Sequence, residues 1–580
     1  MSDASKPSKQ EGMKEQSHYL KGQIAQELDD ASTQEVSDET YELLKFHGSY
    51  FGYDRDTATE RKQAGLDKEF EFMVRMKCPG GQMTAAQYLG LDALCEKYAN
   101  GTLRITSRET FQFHCIRKTA MKPLVRDINR LLLSTLGGCG DVVRNVITCP
   151  APIKDAEHAR LEADTFLLAK HCAPKTSSYC EVWLDGKRVD GYAFEPEPST
   201  TGEIEPLYGE TYMPRKFKIA IGAPDDNCMD MLCNDLAIVS LFDNNHNEHF
   251  GYNFALGGGM GMKHNTPKTF PYLARQTMYV PKDLLIPATE AVIKLQRDTG
   301  DRSDRQHARL KYLVAEKGLP WIKTELEKIL GRRMDDPRPT KKWAVVDHMG
   351  WHAQGDGKWF LGVPVSSGRI ADTERYQYRT GLREVLKEYG MNIRLTADQN
   401  LILCDIDADE KQAIEQKLRK YNIPLAEDLS SMARNFEPCV SLPTCGKALA
   451  EAERVAEPLI EEIERCMQAQ GVQGDEIAIS IAGCPNGCSR PYVGEIGIVG
   501  RLPGHYALFI GGSFEGTRLN EKIFDRIPYE HITDVFSPML ALWKKERKDG
   551  EGFGDFAQRY GVDAVKQTTV DALGDEKWVK

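Results

Sequence analysis

The chain contains 580 residues, of which 41% are hydrophobic and 28% are charged, a composition that is typical of globular proteins and excludes a disordered chain. At roughly 100–200 residues per domain, we expect about three to five domains. The net charge of −11 argues against a general nucleic-acid-binding or membrane-surface protein. No apolar run approaches the ~20 residues of a membrane span, and the N-terminal residues lack the apolar core of a signal peptide. We therefore expect a cytoplasmic protein.

The first predicted segment, residues 1–66, is an N-terminal extension. Its first 35 residues are polar and show no strong periodicity, so we expect a flexible segment that contains at most one short helix. From Phe70 onward, strand-like and helix-like segments alternate, which predicts an α/β (α+β) fold.

An internal repeat divides the remaining chain into two halves. LRIT followed by FQF at 103–113 resembles IRLT followed by LIL at 393–403, and a helix-like segment precedes each. Downstream, KIAI at 218–221 resembles AISI at 478–481, and YNFALGGG at 252–259 resembles YALFIGG at 506–512. Because these matches occur in the same order, they predict a duplicated pair of one small and one larger α/β unit.

The composition between these patterns predicts where each unit begins and ends. Residues 331–349 are charged and proline-containing, which is typical of a linker between the two halves. The predicted units are a small unit at 67–137, a large unit at 138–330, the linker at 331–349, a second small unit at 350–420 and a second large unit at 421–580.

Four cysteines in two short loops form the strongest motif. Cys439 and Cys445 are separated by five residues, and Cys484 and Cys488 by the turn-forming sequence PNG. Paired zinc ligands usually have two to four residues between them, so the first pair favours an iron–sulfur cluster, with structural zinc as the alternative. We expect the other eleven cysteines to be ordinary buried thiols: Cys78, Cys95, Cys115, Cys139, Cys149, Cys172, Cys180, Cys228, Cys233, Cys404 and Cys466.

Basic residues lie on one face of several strand-like segments. In LRITSRETFQFH at 103–114, read as a single strand, alternation places Arg104, Arg108, Gln112 and His114 on the same face. Each such face alone is commonly solvated, but together in an acidic protein they indicate an anion site, because guanidinium groups pair with carboxylates. The glycine run at 257–259 fits either close approach to a flat ligand or tight packing. The further basic candidates are Arg75, Arg144, Lys216 and Lys218.

These motifs are similar to those of the sulfite/nitrite reductase family, whose members use sirohaem coupled to a [4Fe–4S] cluster. The resemblance covers nearly the whole chain, from HGSYFGYDRD at 47–56 to GEGFGDF at 550–556. It is closest to the haemoprotein subunits of the NADPH-dependent enzymes. It implies ferredoxin-like small units, larger units that bind sirohaem and the cluster, and a pseudo-twofold arrangement with the cofactors between the halves.

The resemblance also implies a role for each candidate residue. The four cysteines, Cys439, Cys445, Cys484 and Cys488, are expected to bind the cluster, and Cys488 also to ligate the sirohaem iron. Sirohaem carboxylates are expected to bind Arg104, Arg108, Gln112 and His114. The substrate anion is expected to bind Arg75, Arg144, Lys216 and Lys218.

The implied activity is the six-electron reduction of sulfite to sulfide in cysteine biosynthesis. Nitrite reductases of the family tend to have Asn where this chain has Lys218, so sulfite is favoured and nitrite remains the alternative substrate. Ser489 stands where close bacterial relatives often have glycine, which is expected to alter local hydrogen bonding. The expected electron donor is a flavoprotein subunit with FAD and FMN that oxidises NADPH, and ferredoxin is the alternative.

A third interpretation comes from another class of protein. The four cysteines would bind a structural zinc ion, and the basic faces would contact nucleic acid, as in a nucleic-acid-binding module. That interpretation predicts a colourless protein and leaves the duplicated halves unexplained.

Overall fold

The computed structural model describes residues 6–176, 183–184, 187–188 and 205–574. The expectation for Cys180 therefore falls outside the described residues. Along the described part of the chain, no helix combines the length and apolar character that a bilayer crossing requires.

The N-terminal segment differs from the predicted flexible extension. Two helices lie within its first 35 residues, and Leu20 is fully buried. Lys14 is 2% exposed and forms an ion pair with Asp141 at 3.6 Å. The sequence did not reveal this packing because the apolar residues that anchor the segment, such as Leu20, are isolated and follow no regular spacing. The elements of this segment are α1 Lys9–Gln16, α2 Ile24–Asp29, α3 Asp38–Leu44, β1 Ser49–Tyr53 and α4 Ala58–Gln63.

The first small unit packs two helices on a sheet. Its longer helix begins with a capping box, in which Gln87 N donates to the Thr84 hydroxyl and Thr84 N donates to the Gln87 side chain. The elements are β2 Phe70–Arg75, β3 Gln82–Met83, α5 Ala85–Tyr98, β4 Leu103–Thr106, β5 Thr110–Ile116 and α6 Met121–Arg130.

The prediction that residues 103–114 form one strand is wrong, because they form the β4–β5 hairpin. Glu109, which interrupts the apolar alternation, has φ of 53° and turns the chain. Arg104 and Gln112 are nevertheless opposite each other in the antiparallel register. Directly opposite residues point to the same face of a sheet, so Arg104 and Gln112 still share a face, which the two strands of the hairpin form together. Arg108 lies in the turn itself.

The first large unit contains a sheet in the order β11-β10-β9-β8. Only β8 and β9 are parallel, and nearly all their side chains are buried, which explains their continuous apolar sequences. The elements are α7 Ala156–His171, β6 Trp183–Leu184, β7 Lys187–Arg188, β8 Ile219–Gly222, β9 Leu236–Phe242, β10 His249–Leu256, β11 Arg275–Val280, α8 Leu285–Thr299, α9 Leu310–Lys317 and α10 Leu319–Leu330.

Residues 331–349, the linker, contain neither helix nor strand. The second small unit follows directly. Its elements are β12 Gly350–Ala353, β13 Trp359–Val363, β14 Arg369–Ile370, α11 Tyr378–Tyr389, β15 Ile393–Leu395, β16 Leu401–Ile406 and α12 Lys411–Lys420.

The second large unit has a sheet in the order β17-β18-β19-β20-β21. Its first three strands are parallel and its last two antiparallel. The elements are α13 Ser431–Arg434, β17 Phe436–Pro438, α14 Glu453–Gln470, β18 Ile479–Ala482, β19 Ile496–Leu502, β20 His505–Ile510, β21 Glu521–Pro528, α15 Ile532–Glu546, α16 Phe553–Tyr560 and α17 Val562–Leu573.

The strand orders confirm the predicted duplication. The small sheets run β1-β2-β5-β4-β14 and β12-β13-β16-β15-β3, so corresponding strands occupy corresponding positions. Each half donates one short strand, β3 or β14, to the edge of the other half's sheet. The small units therefore share one hydrophobic core, and each exchanged strand covers an edge that would otherwise expose unpaired backbone groups.

Candidate active site at the junction of the two halves

The sheet of the second large unit brings the two cysteine loops together. Cys439 directly follows β17, and Cys484 lies two residues after β18. Because these strands are parallel neighbours, their carboxyl ends meet at the same edge. Cys439 N donates to Ile481 O at 3.0 Å, and Gly483 N donates to Cys439 Sγ at 3.2 Å.

Local amide groups point at the sulfurs. Gly487 has φ of 60°, which the tight turn of the second loop requires. Asn486 Nδ2 donates to Cys484 Sγ at 3.3 Å. Burial, followed by the charge of Cys488, raises the pKa of Cys484 to about 11. The charge of Cys488 acts on the other three thiols of the set, so a bound cation would stabilise the ionised form.

The spacing of these sulfurs favours a cluster over one zinc ion. The described residues contain two groups of metal-type side chains whose ligand atoms all lie within 4.8 Å of one another, and neither includes these four cysteines. A single tetrahedral zinc with sulfur at 2.3 Å requires sulfurs about 3.8 Å apart. The four sulfurs are therefore too widely spaced for one zinc ion, whereas a [4Fe–4S] cluster is larger and is held by four cysteines.

Cys488 differs from the other three cysteines in being exposed. Its loop is held from the first half, since the Ser107 hydroxyl donates to Cys488 O at 3.0 Å and Met262 N donates to Pro485 O at 3.0 Å. The hairpin turn of the first small unit therefore contacts the loop that carries this thiol.

The first half places its basic residues at the same junction. Arg144 N donates to Phe217 O at 2.9 Å, which brings Arg144 beside Lys216 and Lys218. Arg75 ends β2, whose neighbour is the hairpin strand β5. The charge of Cys488 acts on both Arg75 and Lys218. The structure thus brings the predicted thiols and cations together across the two halves.

Arg144 is buried, and Arg75, Lys216 and Lys218 are partly buried. These cations nevertheless lack the acidic partners that cations removed from water normally have. Among the described residues, neither Lys216 Nζ, Lys218 Nζ nor the Arg144 Nη atoms form a hydrogen bond or ion pair, although Arg144 Nε donates to Gly140 O at 2.8 Å. Burial and the neighbouring Lys218 lower the pKa of Lys216 well below its usual value. Burial and Arg108 lower the pKa of Lys218 to about 7. An unpaired cluster of this kind is suited to an anion.

The hairpin residues Arg104, Arg108 and Gln112 are buried, and some of their hydrogen-bonding groups already contact other protein groups. Arg104 Nε donates to Glu453 at 3.1 Å, and Arg108 donates to Ile219 O at 3.0 Å. The Arg108 Nε–H is buried and has no hydrogen-bond partner among the described residues. With its amide oxygen turned to accept, Gln112 receives the Nε–H of Arg75 at 3.0 Å.

His114 is a neutral donor. Arg369 Nη1 donates to its Nδ1 at 3.0 Å. Burial, followed by the charge of Arg369, lowers the pKa of His114 well below its usual value. The proton of the neutral ring therefore lies on Nε2, which can donate a hydrogen bond.

Two sequence features have packing explanations. The Ser489 hydroxyl donates to Ile481 O at 2.8 Å, so the serine is satisfied locally and 1% exposed. A Cβ on Gly258 would lie 2.2 Å from Leu232 O. Tight packing, and not close approach to a flat ligand, is thus the better interpretation of the glycines at 257–259.

Sequence reasoning missed Asp235 and Arg309. Asp235 is fully buried, receives two hydrogen bonds from Arg309 and also accepts the backbone N–H of Lys218. An acid directly before a buried apolar strand was the available signal, but its cationic partner is 74 residues away.

Comparisons with known proteins agree with this geometry. The family model described as the nitrite and sulphite reductase 4Fe-4S domain matches residues 163–334 and 434–577. The nitrite/sulfite reductase ferredoxin-like half domain matches residues 65–131 and 352–421. In the structure of the Mycobacterium tuberculosis NirA protein, the same fold covers 97% of this chain and 98% of that chain, with TM-score 0.77 and 22% identity.

Curated relatives match over nearly their full length. The "Sulfite reductase [NADPH] hemoprotein beta-component" of Staphylococcus saprophyticus is 40% identical over 95% of both chains. The protein of the same name from Myxococcus xanthus is 40% identical over 97% of this chain and 98% of its own. The chain therefore belongs to the nitrite and sulphite reductase family, as its motifs predicted.

Proposed function

We propose that this chain reduces sulfite to sulfide at a sirohaem that is coupled to a [4Fe–4S] cluster through Cys488. The observation that carries the proposal is the meeting of four cysteines and four cations without acidic partners at one junction between the halves. The names of the 40%-identical relatives support sulfite as the substrate. The overall change is SO₃²⁻ + 6 e⁻ + 7 H⁺ → HS⁻ + 3 H₂O.

The residues present fit both cofactors. Cys439, Cys445, Cys484 and Cys488 would hold the cluster, and N–H groups directed at the sulfurs favour their ionised form. The buried, unpartnered Nε–H of Arg108 and the donor Nε2 of His114 suit carboxylate groups of sirohaem. Arg104 and Gln112 would complete that carboxylate-binding set. When bound, the cofactor pair supplies single electrons and an iron that accepts the sulfur of sulfite.

The basic quartet would bind the oxygens of sulfite. Arg75, Arg144, Lys216 and Lys218 offer N–H donors that no described carboxylate occupies, so a dianion can bind without displacing an internal ion pair. Each oxygen that leaves sulfite must depart as water and therefore needs protons. A lysine whose pKa is near 7 can donate a proton and regain it from solvent at neutral pH.

Two further features favour particular reaction partners. Lys218 provides a second amine beside Lys216, and its protonated form suits dianionic sulfite better than monoanionic nitrite. The electrons come from a separate flavoprotein with FAD and FMN that oxidises NADPH, and the terms "[NADPH]" and "beta-component" in the relatives' names support such a donor. Ferredoxin is the alternative donor. We place the reaction in the cytoplasm, as part of cysteine biosynthesis.

The first test is the visible spectrum and metal content of protein purified from cells that make sirohaem. The proposal expects isobacteriochlorin bands and about five iron atoms per chain, four from the cluster and one from sirohaem. Turnover of sulfite and nitrite with one chemical reductant then separates the two substrates. A colourless protein with one zinc at the four cysteines would overturn the proposal, and faster turnover of nitrite than of sulfite would transfer it to nitrite.

A further inference from the structure

A second group of metal-type side chains lies outside the active site. The ligand atoms of Cys149, Asp226, Cys228 and His348 all lie within 4.8 Å of one another. Asp226 Oδ2 is 2.9 Å from Cys149 Sγ and 2.8 Å from His348 Nε2. Cys149 Sγ and His348 Nε2 are 3.4 Å apart. Around a tetrahedral zinc the ligand atoms lie about 3.3–3.8 Å apart, so the group needs only a small expansion to surround an ion.

Three chain segments converge to form this group. Cys149 follows the isolated bridge between Ile147 and Ala220, and Asp226 and Cys228 lie in the loop after β8. His348 comes from the linker between the halves. The loop and the linker are also joined by their backbones: Asn227 N donates to Ala344 O at 2.8 Å, and Ala344 N donates to Pro224 O at 3.0 Å. The ligand set is therefore fixed by backbone pairing as well as by its own contacts.

The chemistry of the four side chains points to a particular ion. Cys149 and His348 are 3% and 6% exposed, so these groups are largely removed from water. Thiolate, imidazole and carboxylate are all ligands that zinc accepts in proteins, and four protein ligands close the coordination sphere as in structural sites. We propose that Cys149, Asp226, Cys228 and His348 bind one zinc ion that attaches the linker to the first large unit.

A neighbouring histidine supports this assignment. His158 Nδ1 contacts Asp155 Oδ1 at 2.8 Å, which fixes the ring in the neighbourhood of Cys149. Outer groups that hydrogen-bond metal ligands and are themselves oriented by carboxylates are a regular feature of zinc sites. The Val346 backbone N–H, at 3.4 Å from Asp226 Oδ1, similarly orients the carboxylate ligand.

The zinc proposal competes with two metal-free arrangements. The same residues could remain a hydrogen-bonded cluster, or Cys149 and Cys228 could form a disulfide. The structure has both as free thiols. A metal-free cluster would hold two thiols, a carboxylate and an imidazole against one another, whereas a zinc ion would compensate the negative ligands directly.

The test uses the holoprotein, equilibrated with zinc and passed through a desalting column. We expect about one zinc per chain in addition to the iron. X-ray absorption at the zinc edge should show two sulfur ligands at about 2.3 Å and two nitrogen or oxygen ligands at about 2.0–2.2 Å. Cys228→Ser and His348→Ala should each lower zinc retention at least about tenfold while the iron content and visible spectrum stay unchanged.

Cys466→Ser is the matched control, because Cys466 lies on α14 and belongs to neither cysteine group. It should retain wild-type zinc. The proposal is overturned if wild-type protein retains no zinc, if mass spectrometry finds a Cys149–Cys228 disulfide, or if the edge spectrum shows four sulfurs. The last result would place the zinc at Cys439, Cys445, Cys484 and Cys488, and would therefore overturn the proposed function as well. The first two results would overturn the zinc site alone.

Discussion

Asp235 holds the backbone of Lys218 with the same carboxylate that binds Arg309. Lys218 N donates to Asp235 Oδ2 at 2.9 Å, and Arg309 Nε and Nη2 donate to the two oxygens at 2.8 and 2.7 Å. Asp235 is fully buried and Arg309 is 8% exposed. The position of a proposed substrate-binding lysine thus depends on an ion pair that does not itself belong to the quartet.

Arg309→Met should therefore destabilise the protein and weaken sulfite binding. Removing one partner leaves a buried carboxylate uncompensated, at a cost of about 3–5 kcal/mol. Denaturant unfolding and the KM for sulfite measure the two effects. The double variant Asp235→Asn/Arg309→Met should recover part of the stability, and a loss below about 1 kcal/mol in Arg309→Met would contradict this role.

Lys218→Asn should change the choice of substrate. A charge-assisted hydrogen bond contributes about 1.5–3 kcal/mol, so the ratio of kcat/KM for sulfite to that for nitrite should fall about 10- to 100-fold. Steady-state rates with one chemical reductant measure the ratio. Lys282→Asn, at an exposed site, is the control, and an unchanged ratio in Lys218→Asn would refute the substrate argument.

Sulfite affinity should fall as the pH rises through about 7. Burial and Arg108 lower the pKa of Lys218 to about 7, so its ammonium form predominates below this pH and is lost above it. A dianion binds the protonated lysine better. KM measured from pH 6 to 8 should rise more steeply in the wild type than in Lys218→Arg, which stays charged. The protonation of sulfite is common to both proteins, so parallel curves would exclude Lys218 as the titrating group.

Cys445→Ser should remove the cluster. Loss of one of the four proposed thiolate ligands is expected to lower the iron content to about one atom per chain or less and to reduce sulfite turnover at least about 100-fold. Iron analysis and the visible spectrum measure the change. Cys466→Ser should leave both unchanged, and full iron retention in Cys445→Ser would show that this residue is not a ligand.

Glu495 should make stability depend on pH. Burial raises its pKa to about 7 from an ordinary value near 4.5. Its stabilising effect is fully present below pH 4.5 and is lost as the pH rises through 7, a change of about 3 kcal/mol. Glu495→Gln has no such titration, so the stability difference between the two proteins should shift with pH in unfolding experiments. A constant difference would contradict the raised pKa.

The β4–β5 hairpin shows that a local pattern can predict the right face of a sheet from the wrong secondary structure. Alternation correctly placed Arg104 and Gln112 on one face, although the chain reverses between them. The prediction survived because directly opposed residues in an antiparallel pair point to the same side. The reversal itself depends on the backbone of Glu109, which strand periodicity does not describe.

The sequence by itself determined the duplicated α/β plan, the spacing of Cys439, Cys445, Cys484 and Cys488, and the family. Periodicity and ligand spacing are local properties, so they can be read along the chain. Tertiary structure alone decided the strand exchange between halves, the Asp235–Arg309 pair and the approach of His348 to Cys149. These contacts join residues that are 74 or more positions apart, and their energies depend on burial and packing that no local pattern records.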